Sequence, residues 1–381
     1  MVVFLRSNPI MPDPRVEKEA RALSRAGYKV HVLGWDRSGT LPVIEQRSYA
    51  TIERIRLRAM FGSGIRNLPH LLRWQARLTC WLWLHRQEYD IIHACDFDTV
   101  LPALVAKWFL GKRVVYDIFD FYADMLRRTP NILRQVIRRV DCWVIGRVDG
   151  VILADENRKE QIKGACPKVV EYIYNSPEPI NTSEYEVTSR SGPGLHVVYV
   201  GLLQVERGLM QVLKVMQRYP EWSLDLAGFG GDEQRILEIA RSLNNVRFHG
   251  RIPYETALNL SARADILFAT YDPAVPNHRW SSPNKLFEAM MLGKPIIVAR
   301  GTGTDRLVEQ YGLGFVVDYG DSEQLEAVMR RVAAWSLEEK HRFAEHSRAI
   351  YREFFAWEKM EARLIRLYGR VAALTSVPAP D

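Results

Sequence analysis

Residues 283–298 read PNKLFEAMMLGKPIIV, and this stretch decides how the second half of the chain is expected to fold. A polar segment with Lys285 opens a helix that carries Glu288 one turn in and stops at Gly293, and an apolar strand follows at once. Free N–H groups and the macrodipole at a helix N-terminus attract phosphate, and a lysine adds positive charge. A carboxylate one turn further can accept hydrogen bonds from sugar hydroxyls. The stretch predicts a ligand with phosphate and sugar, and an ordinary capped helix on a sheet is the alternative.

Strand and helix patterns alternate along both halves of the chain. Near the start, Asp13-Pro14 has the form of an N-cap followed by the first helical position, and Gly27 has the form of a helix stop. Alternation of this kind predicts βαβ units and parallel sheets. The predicted strands are 2–6, 28–33, 91–94, 113–116, 196–201, 223–227, 246–249, 266–269 and 296–298, and the predicted helices include 13–26, 68–87, 98–110, 131–144, 232–243 and 254–263.

The length of 381 residues suggests two domains. Residues 177–195, with their Asn, Ser, Pro and Gly, interrupt the alternation and are interpreted as a linker. We therefore expect an α/β protein with two doubly wound, Rossmann-like domains, 1–176 and 196–356. Such a pair should face a cleft at the carboxyl ends of its strands, where ligands bind in these sheets.

Composition narrows the class of protein. The apolar runs are strand-sized, far below the ~18 to 20 residues of a membrane span. Met1 leads directly into the first strand, so a signal peptide is not expected. Cys80, Cys95, Cys142 and Cys166 are scattered without CxxC spacing. A reduced, cytoplasmic protein without a structural metal is the expectation.

Positive charge is concentrated in the first half. Residues 1–176 hold 28 Lys/Arg against 19 Asp/Glu, a net charge of +9, whereas the remainder has a net charge of −2. Basic amphipathic helices at 69–86 and 131–144, the second preceded by Arg127 and Arg128, suit an anionic membrane surface. Amphipathic helices that cover a sheet with a solvated Arg face are the alternative. No nucleic-acid-binding motif is present, so nucleic acid is not an expected partner.

Several loops after strands could hold phosphate. Gly201 permits a sharp turn ahead of a helix, and Arg207 in the same loop can give bidentate hydrogen bonds to phosphate, although it could also be a surface Arg. The turn at Gly228 lacks the third glycine of a dinucleotide fingerprint, so a Gly-rich turn capped by Asp232 accounts for it better. The loop around Gly303 and Thr304 could donate backbone N–H groups.

These motifs resemble the retaining GT-B glycosyltransferases of family GT4. The resemblance rests on Gly201–Gly208, on Leu226–Gly230, on the block Pro283–Pro295 and, in the first half, on Asp13–Ala20 and Tyr89–Ala94. It therefore extends over nearly the whole chain. The last helix, about 357–374, is similar to the segment that crosses back onto the first domain in GT-B proteins.

The resemblance implies roles for individual residues. Arg207 and Lys285 would contact the donor diphosphate, Glu288 the ribose, and the loop at Arg251 and Ile252 the base. The donor would be a UDP- or GDP-linked sugar, transferred with retention and without a metal or other cofactor. The residues expected at the donor are Gly201, Arg207, Gly228, Arg251, Ile252, Pro283, Asn284, Lys285, Leu286, Glu288, Gly303 and Thr304.

Fewer positions are expected on the acceptor side. Asn8, Arg15, His93, Asp96 and Phe119 are the candidates there. Asp117 and Asp120 join Arg207 and Lys285 as candidate catalytic residues, although structural capping is as good an interpretation of either carboxylate.

Three positions depart from the family pattern. Trp280 stands where the family often has a first Glu, Phe119 where it often has a His, and Leu202 where it often has a further basic residue. The nucleotide end of the site is therefore expected to be intact and the sugar end altered.

The hypothesis is a glycosyltransferase acting on a glycan or a polyprenyl-diphosphate-linked acceptor, in the cytoplasm or peripherally on the cytoplasmic membrane face, in surface polysaccharide or glycoconjugate synthesis. A GT-B sugar-nucleotide epimerase and a non-catalytic nucleotide-sugar-binding subunit are the alternatives.

Overall fold

The computed structural model describes residues 1–59, 67–126, 129–178 and 194–374. The chain divides into two compact units, Met1–Tyr174 with Glu358–Asp381 and Asn175–Trp357. Arg127, Arg128 and most of the predicted linker lie outside the described residues.

The elements alternate as the sequence predicts. The strands are β1 (Val2–Arg6), β2 (Val30–Asp36), β3 (Ile44–Arg47), β4 (Ala50–Arg56), β5 (Ile91–Cys95), β6 (Arg113–Ile118), β7 (Gly150–Leu153), β8 (Val170–Tyr172), β9 (His196–Leu202), β10 (Ser223–Phe229), β11 (Val246–Phe248), β12 (Ile266–Ala269), β13 (Ile296–Ala299) and β14 (Gly314–Val317). The helices are α1 (Pro14–Arg25), α2 (Leu68–Leu84), α3 (Phe97–Leu110), α4 (Tyr122–Met125), α5 (Asn131–Ile145), α6 (Arg158–Gln161), α7 (Leu209–Arg218), α8 (Glu233–Ala240), α9 (Tyr254–Ala262), α10 (Asn284–Leu292), α11 (Thr304–Tyr311), α12 (Ser322–Ala333), α13 (Leu337–Ile350) and α14 (Trp357–Ala373).

The first unit is built on the sheet β3-β4-β2-β1-β5-β6-β7-β8, in which β3 is antiparallel to β4 and the other described pairs are parallel. The central strands are buried on both faces, which is why they read as continuous apolar runs. Helix α1 begins as predicted, because the Asp13 carboxylate accepts a hydrogen bond from the Val16 N–H and Pro14 occupies its first turn.

Two predictions for this unit need correction. The second strand starts later and runs further than the predicted 28–33, since it is Val30–Asp36. The hairpin of β3 and β4 was not predicted at all. Its edge strand β3 alternates between exposed and half-buried residues and carries little apolar signal, so only the pairing partner makes it a strand.

The second unit is built on the parallel sheet β11-β10-β9-β12-β13-β14. Helix α10 follows the sequence prediction closely: it starts at Asn284 and ends where Gly293 adopts a left-handed conformation. Its apolar side chains are buried. Asp232 was predicted to cap α8, but its carboxylate instead accepts a hydrogen bond from the Val205 N–H at 2.9 Å and makes no side-chain cap.

Two units, each with a mainly parallel sheet, helices and its own core, agree with the α/β class and the Rossmann-like units that the sequence predicts. No helix among the described residues is long and apolar enough to cross a membrane. Helix α2 buries Trp74, Leu78 and Trp81 in the core of the first unit, so most of its apolar face covers the sheet. The alternative interpretation of this helix is therefore the better one, although Leu72, Trp83 and Leu84 remain exposed.

Candidate active site

The carboxyl ends of β9, β10 and β12 bring several predicted donor residues of the second unit together. Gly201 lies near the end of β9 and Gly228 near the end of β10, and the two are paired across the strands. Both have positive φ, 154° and 142°. A Cβ at Gly228 would collide with the Gly201 carbonyl oxygen, so this pair needs two glycines.

Gly201 also makes room for the Lys285 side chain. A Cβ at Gly201 would lie 2.9 Å from Lys285 Nζ, which is closer than side-chain carbons approach other atoms. The glycine therefore lets an ammonium from the start of α10 approach the end of β9. This is the contact between the two motifs that the sequence prediction required.

The two predicted phosphate-binding cations rest on aromatic rings. Lys285 Nζ lies 3.5 Å from the ring centroid of Tyr199, and the Arg207 guanidinium carbon lies 4.2 Å from that of Tyr271. Aromatic faces attract cations while leaving their hydrogen-bond donors for other partners. Among the described residues neither Lys285 nor Arg207 forms a salt bridge.

The Lys285 ammonium is electrostatically unfavourable as the protein stands. Burial lowers its pKa well below the ordinary value, the positive charge of Arg207 lowers it further, and Glu288 opposes the shift. A diphosphate between the two cations would reverse the repulsion between them. This arrangement is suited to binding an anion and to stabilising negative charge on a leaving group.

Glu288 lies one turn into α10, as predicted, and is partly buried. Its charge and a hydrogen bond to it add to burial in raising the pKa of Tyr254, so the Tyr254 phenol stays protonated and can donate to the carboxylate. The remaining oxygen lone pairs of Glu288 can accept from hydroxyl groups of a ligand.

The other predicted donor residues are distributed along the same edge. Arg251 follows β11 and is exposed, with its guanidinium carbon 4.8 Å from the ring centroid of exposed Phe229. Gly303 precedes α11, and the Thr304 hydroxyl lies 2.9 Å from the Thr302 hydroxyl, inside the protein. The residues Ile252, Pro283 and Asn284 are accessible in part or fully, whereas Leu286 is buried in the core and is suited to packing only.

A network of buried charges lies at the corresponding edge of the first unit. Arg15 on α1 donates two hydrogen bonds to Asp117 on β6, from Nε at 2.9 Å and from Nη2 at 2.8 Å, and its Nε lies 3.3 Å from Glu19. His93 Nε2 lies 3.3 Å from Glu19 and 3.6 Å from Asp117, and His93 Nδ1 lies 2.8 Å from the Tyr368 hydroxyl on α14.

The proton positions in this network follow from its charges. Burial and the nearby Asp117 charge raise the pKa of Glu19 well above its ordinary value, which favours its neutral form. Burial alone would raise the pKa of Asp117 as well, but Arg15 and His93 bring it down to about 2. Burial lowers the pKa of His93. Within the network, the charged forms are thus favoured for Arg15 and Asp117, and burial favours the neutral forms of Glu19 and His93.

One predicted acceptor-side residue and one predicted catalytic residue lie in the interior of this unit. His93 and Asp117 are fully buried, and both carboxylate oxygens of Asp117 are bonded to Arg15. Neither side chain can therefore touch an acceptor directly. They hold Arg15, which is itself nearly buried.

Glu19, His93 and Asp117 offer three ligand atoms within 4.8 Å of one another, close enough to hold a metal ion. The Arg15 guanidinium already neutralises Asp117, and a cation would have to displace it. The donor set therefore suits an internal ion pair better than a metal centre.

A half-buried part of this edge surrounds Phe119. The guanidinium carbon of Arg6 lies 4.1 Å from the Phe119 ring centroid and that of Arg15 lies 5.0 Å from it. Arg6 also pairs with Asp96 and, at 2.8 Å, with Asp13. Burial raises the pKa of Asp96 to about 7 against the opposing effect of Arg6. Asp96 accepts the Phe119 N–H at 2.9 Å.

Asn8 and Asp120 complete the predicted acceptor side. Asn8 donates to Asp13 at 2.6 Å and so is tied to the N-cap of α1. Asp120 is 41% exposed and lies 3.1 Å from Arg158. It is the more accessible of the two predicted catalytic carboxylates.

Sequence reasoning missed four side chains that shape these two edges. Tyr199 and Tyr271 hold the cations of the second unit, and Glu19 and Tyr368 complete the network of the first. Glu19 lies four residues after Arg15, a helical spacing that the sequence shows, whereas Tyr271, two residues after β12, looks like an ordinary core residue in the sequence. Tyr368 had none, because it is 275 residues from His93.

The fold is that of an α/β protein with two Rossmann-like units, which bind ligands at the carboxyl ends of their strands, and comparison with known families gives its class. The family described as glycosyl transferases group 1 matches residues 186–349, and glycosyltransferase family 4 matches residues 15–176. Together these regions take in most of the chain, which belongs to the GT4-like glycosyltransferases.

Individual proteins are similar at low identity. A phosphatidyl-myo-inositol mannosyltransferase of Mycobacterium leprae is 23% identical over 301 residues, 76% of either chain. An uncharacterized glycosyltransferase of Haemophilus influenzae is 26% identical over 138 residues, 34% of this chain and only 36% of the relative.

Solved structures share the fold. Sucrose-phosphate synthase of Thermosynechococcus elongatus superposes with a TM-score of 0.77 at 16% identity, covering 98% of this chain and 100% of that one. Anabaena HepE in complex with UDP and glucose gives 0.69 at 18% identity, covering 99% of each chain.

Proposed function

We propose that the chain transfers a hexosyl or deoxyhexosyl group from a UDP- or GDP-linked donor, with retention, to a glycan or a lipid-linked acceptor. The single observation that carries the proposal is the approach of Lys285 and Arg207 to one strand edge without salt-bridge partners among the described residues. Both cations would bind the donor diphosphate, and Glu288 would accept hydrogen bonds from the ribose.

The proposed reaction makes one bond and breaks another at the anomeric carbon. The acceptor hydroxyl oxygen attacks this carbon from the face that the diphosphate leaves, and the hydroxyl proton passes to a leaving phosphate oxygen. Lys285 and Arg207 stabilise the charge that develops on the diphosphate. No further cofactor or metal is required, so activity should survive chelation with EDTA.

A lipid-linked acceptor at the cytoplasmic membrane face is supported by two observations. The mycobacterial relatives are mannosyltransferases of phosphatidyl-myo-inositol. In this chain, α5 carries exposed apolar side chains along one side: Ile132, Leu133, Val136, Val140 and Trp143. Such a stripe suits the interface of a membrane. We place the activity in surface polysaccharide or glycoconjugate synthesis.

The test is a donor screen followed by a transfer assay. A nucleotide sugar that binds the folded protein should raise its melting temperature by mass action. Crystals soaked with the best donor should show it against Lys285 and Glu288, and product analysis should show transfer with retention. The proposal fails if no UDP- or GDP-sugar stabilises the protein.

Incubation of the donor alone separates the alternatives. An epimerase would change the sugar without an acceptor. The other alternative is a binding subunit without turnover. It is favoured by Phe119, which contacts two arginines and stands where the family often has a His. Donor binding without turnover on any acceptor would support that subunit and contradict the transferase.

A further inference from the structure

A cleft on the first unit, away from the candidate active site, is lined by four cations and no carboxylate. It has a volume of about 510 Å³ and lies between the end of α5 and the segment 163–166. Its charged side chains are Arg138, Arg139, Arg147 and Lys163. We call this feature the α5 cleft. Four like charges around one cleft repel one another, and an anion in the cleft would relieve that repulsion.

Three of the four cations have no acidic partner among the described residues. Arg138 donates to the Gln161 carbonyl and lies 3.8 Å from Asp124. Arg139, Arg147 and Lys163 form no ion pair with any described residue. The Arg147 guanidinium carbon lies 3.9 Å from the ring centroid of Trp143, which also lines the cleft. The positive charge of the cleft is therefore left for an external partner.

Exposed apolar side chains adjoin the cleft. Ile132, Val136, Val140 and Trp143 follow one another at helical spacing along α5, and the last of them is part of the cleft wall. Trp143 meets Trp108 at the end of α3 with ring centroids 5.8 Å apart. The next residue, Phe109, is 71% exposed. Tryptophan beside arginine, at the end of an apolar stripe, is the composition of a membrane interface rather than of a soluble-anion site.

The α5 cleft is distant from the candidate active site. Helices α3 and α5 end where the next parallel strand begins, so their last residues lie at the amino edge of the sheet. Asp120 and Phe119 lie at the carboxyl edge. Strand β6 has six residues, which separates the edges by roughly 17–20 Å. A group in the cleft is thus an anchor and not the reacting end of an acceptor.

We propose that the α5 cleft binds the phosphate of an anionic lipid headgroup while the apolar stripe of α5 enters the interface. The inference deepens the membrane contact given under the proposed function and rests on it. The cations supply the phosphate ligands, with Arg139 and Lys163 as the least engaged of them. Trp143, Trp108 and Phe109 supply the interfacial contact beside it.

Vesicle flotation of the full chain tests the inference. Vesicles of phosphatidylcholine with about 30 mol% phosphatidylglycerol should bind the protein, and vesicles of phosphatidylcholine alone should bind it weakly. Each basic residue near an anionic surface strengthens partitioning about fivefold, so Arg139→Gln with Lys163→Gln should weaken it about 30-fold. The matched control is Lys214→Gln with Arg235→Gln, two exposed cations of the second unit, which should change nothing.

The outcomes separate the cleft from the membrane contact itself. Ile132→Asp with Val136→Asp should also abolish flotation, and unchanged flotation of that variant would remove the membrane contact. Suppose that Ile132→Asp with Val136→Asp fails to bind vesicles, while Arg139→Gln with Lys163→Gln binds them like the unsubstituted protein. The membrane contact would then stand, and the proposal that the α5 cleft binds a lipid phosphate would be wrong. Any thermal stabilisation by inorganic phosphate should be the same in the unsubstituted protein and in Arg139→Gln with Lys163→Gln. A stabilisation that this variant loses would assign the cleft to a soluble anion. The nucleotide-sugar donor should still raise the melting temperature of every variant.

Discussion

The two units treat the cations at their strand edges in opposite ways. In the first unit Arg15 is bonded to both oxygens of Asp117 and lies against Glu19, so its charge is neutralised inside the fold. In the second unit Lys285 and Arg207 lie against Tyr199 and Tyr271 and lack salt bridges among the described residues.

Under the proposed function, this difference separates a charge that supports the fold from charges kept for a ligand. A buried cation with a fixed carboxylate is costly to lose, because the partner is left uncompensated. A partly buried cation that lies on an aromatic face without a salt bridge is costly to keep, since its desolvation is only partly offset. The same substitution should therefore have opposite consequences in the two units.

The largest expected effect is on stability, in the first unit. Arg15→Met leaves Asp117 buried without its cation and should lower the free energy of unfolding by about 3–5 kcal/mol in urea titration. Arg25→Met is the control on the same helix. Arg25 is 59% exposed and lies 3.6 Å from Glu361, so its loss should cost no more than about 1 kcal/mol. Equal effects from both substitutions would contradict the distinction.

The matching substitution in the second unit is Lys285→Met. Initial rates of sugar transfer should fall about 10²- to 10³-fold, as when one stabilising donor is removed from a developing anion. The free energy of unfolding should stay constant or rise, because burial opposes the Lys285 charge. Lys214→Met, exposed on α7, is the control and should alter neither. Loss of stability without loss of rate would assign Lys285 to the fold.

Much of this contrast could be predicted from the sequence for the second unit and little for the first. The donor motifs lie within short segments of sequence. Their glycines indicate sharp backbone turns and their cations indicate phosphate binding, so both features could be recognised without knowledge of the tertiary structure. Lys285, Arg207 and Glu288 were therefore predicted from their own neighbourhoods. Their aromatic supports were not, because a tyrosine in or after a strand looks like an ordinary core residue.

The network of the first unit joins four elements that are distant in the chain. Arg15 and Glu19 come from α1, His93 from β5, Asp117 from β6 and Tyr368 from α14. Residue type suggested function for His93 and Asp117, but only packing reveals that they are buried and paired. Pairing of β3 and β4 was missed for the same reason: it depends on a partner and not on local pattern.

A smaller effect is expected at Glu288. Glu288→Gln keeps the size of the side chain but weakens hydrogen bonds that depend on its charge, which contribute about 1.5–3 kcal/mol each. Donor affinity, measured by calorimetry, should fall roughly 10- to 100-fold with little change in the melting temperature of the free protein. Glu255→Gln, an exposed carboxylate on the neighbouring helix α9, is the control. Unchanged affinity would remove Glu288 from the donor site.

The smallest expected effect is the pH dependence of donor binding. Because its pKa is lowered well below the ordinary value, Lys285 loses its proton at a lower pH than an exposed lysine does. Binding of a diphosphate favours the protonated form, so affinity should weaken as pH rises through that range, by no more than about tenfold per pH unit for one linked proton. Lys285→Arg keeps the charge at every pH, since a guanidinium does not titrate there. Calorimetry above neutral pH, where the diphosphate is fully ionised, should therefore give a sloping affinity for the parent and a flat one for Lys285→Arg. If affinity fell with pH equally in both proteins, the titrating group would lie elsewhere. The lowered pKa of Lys285 could then no longer support the argument that its ammonium binds the donor.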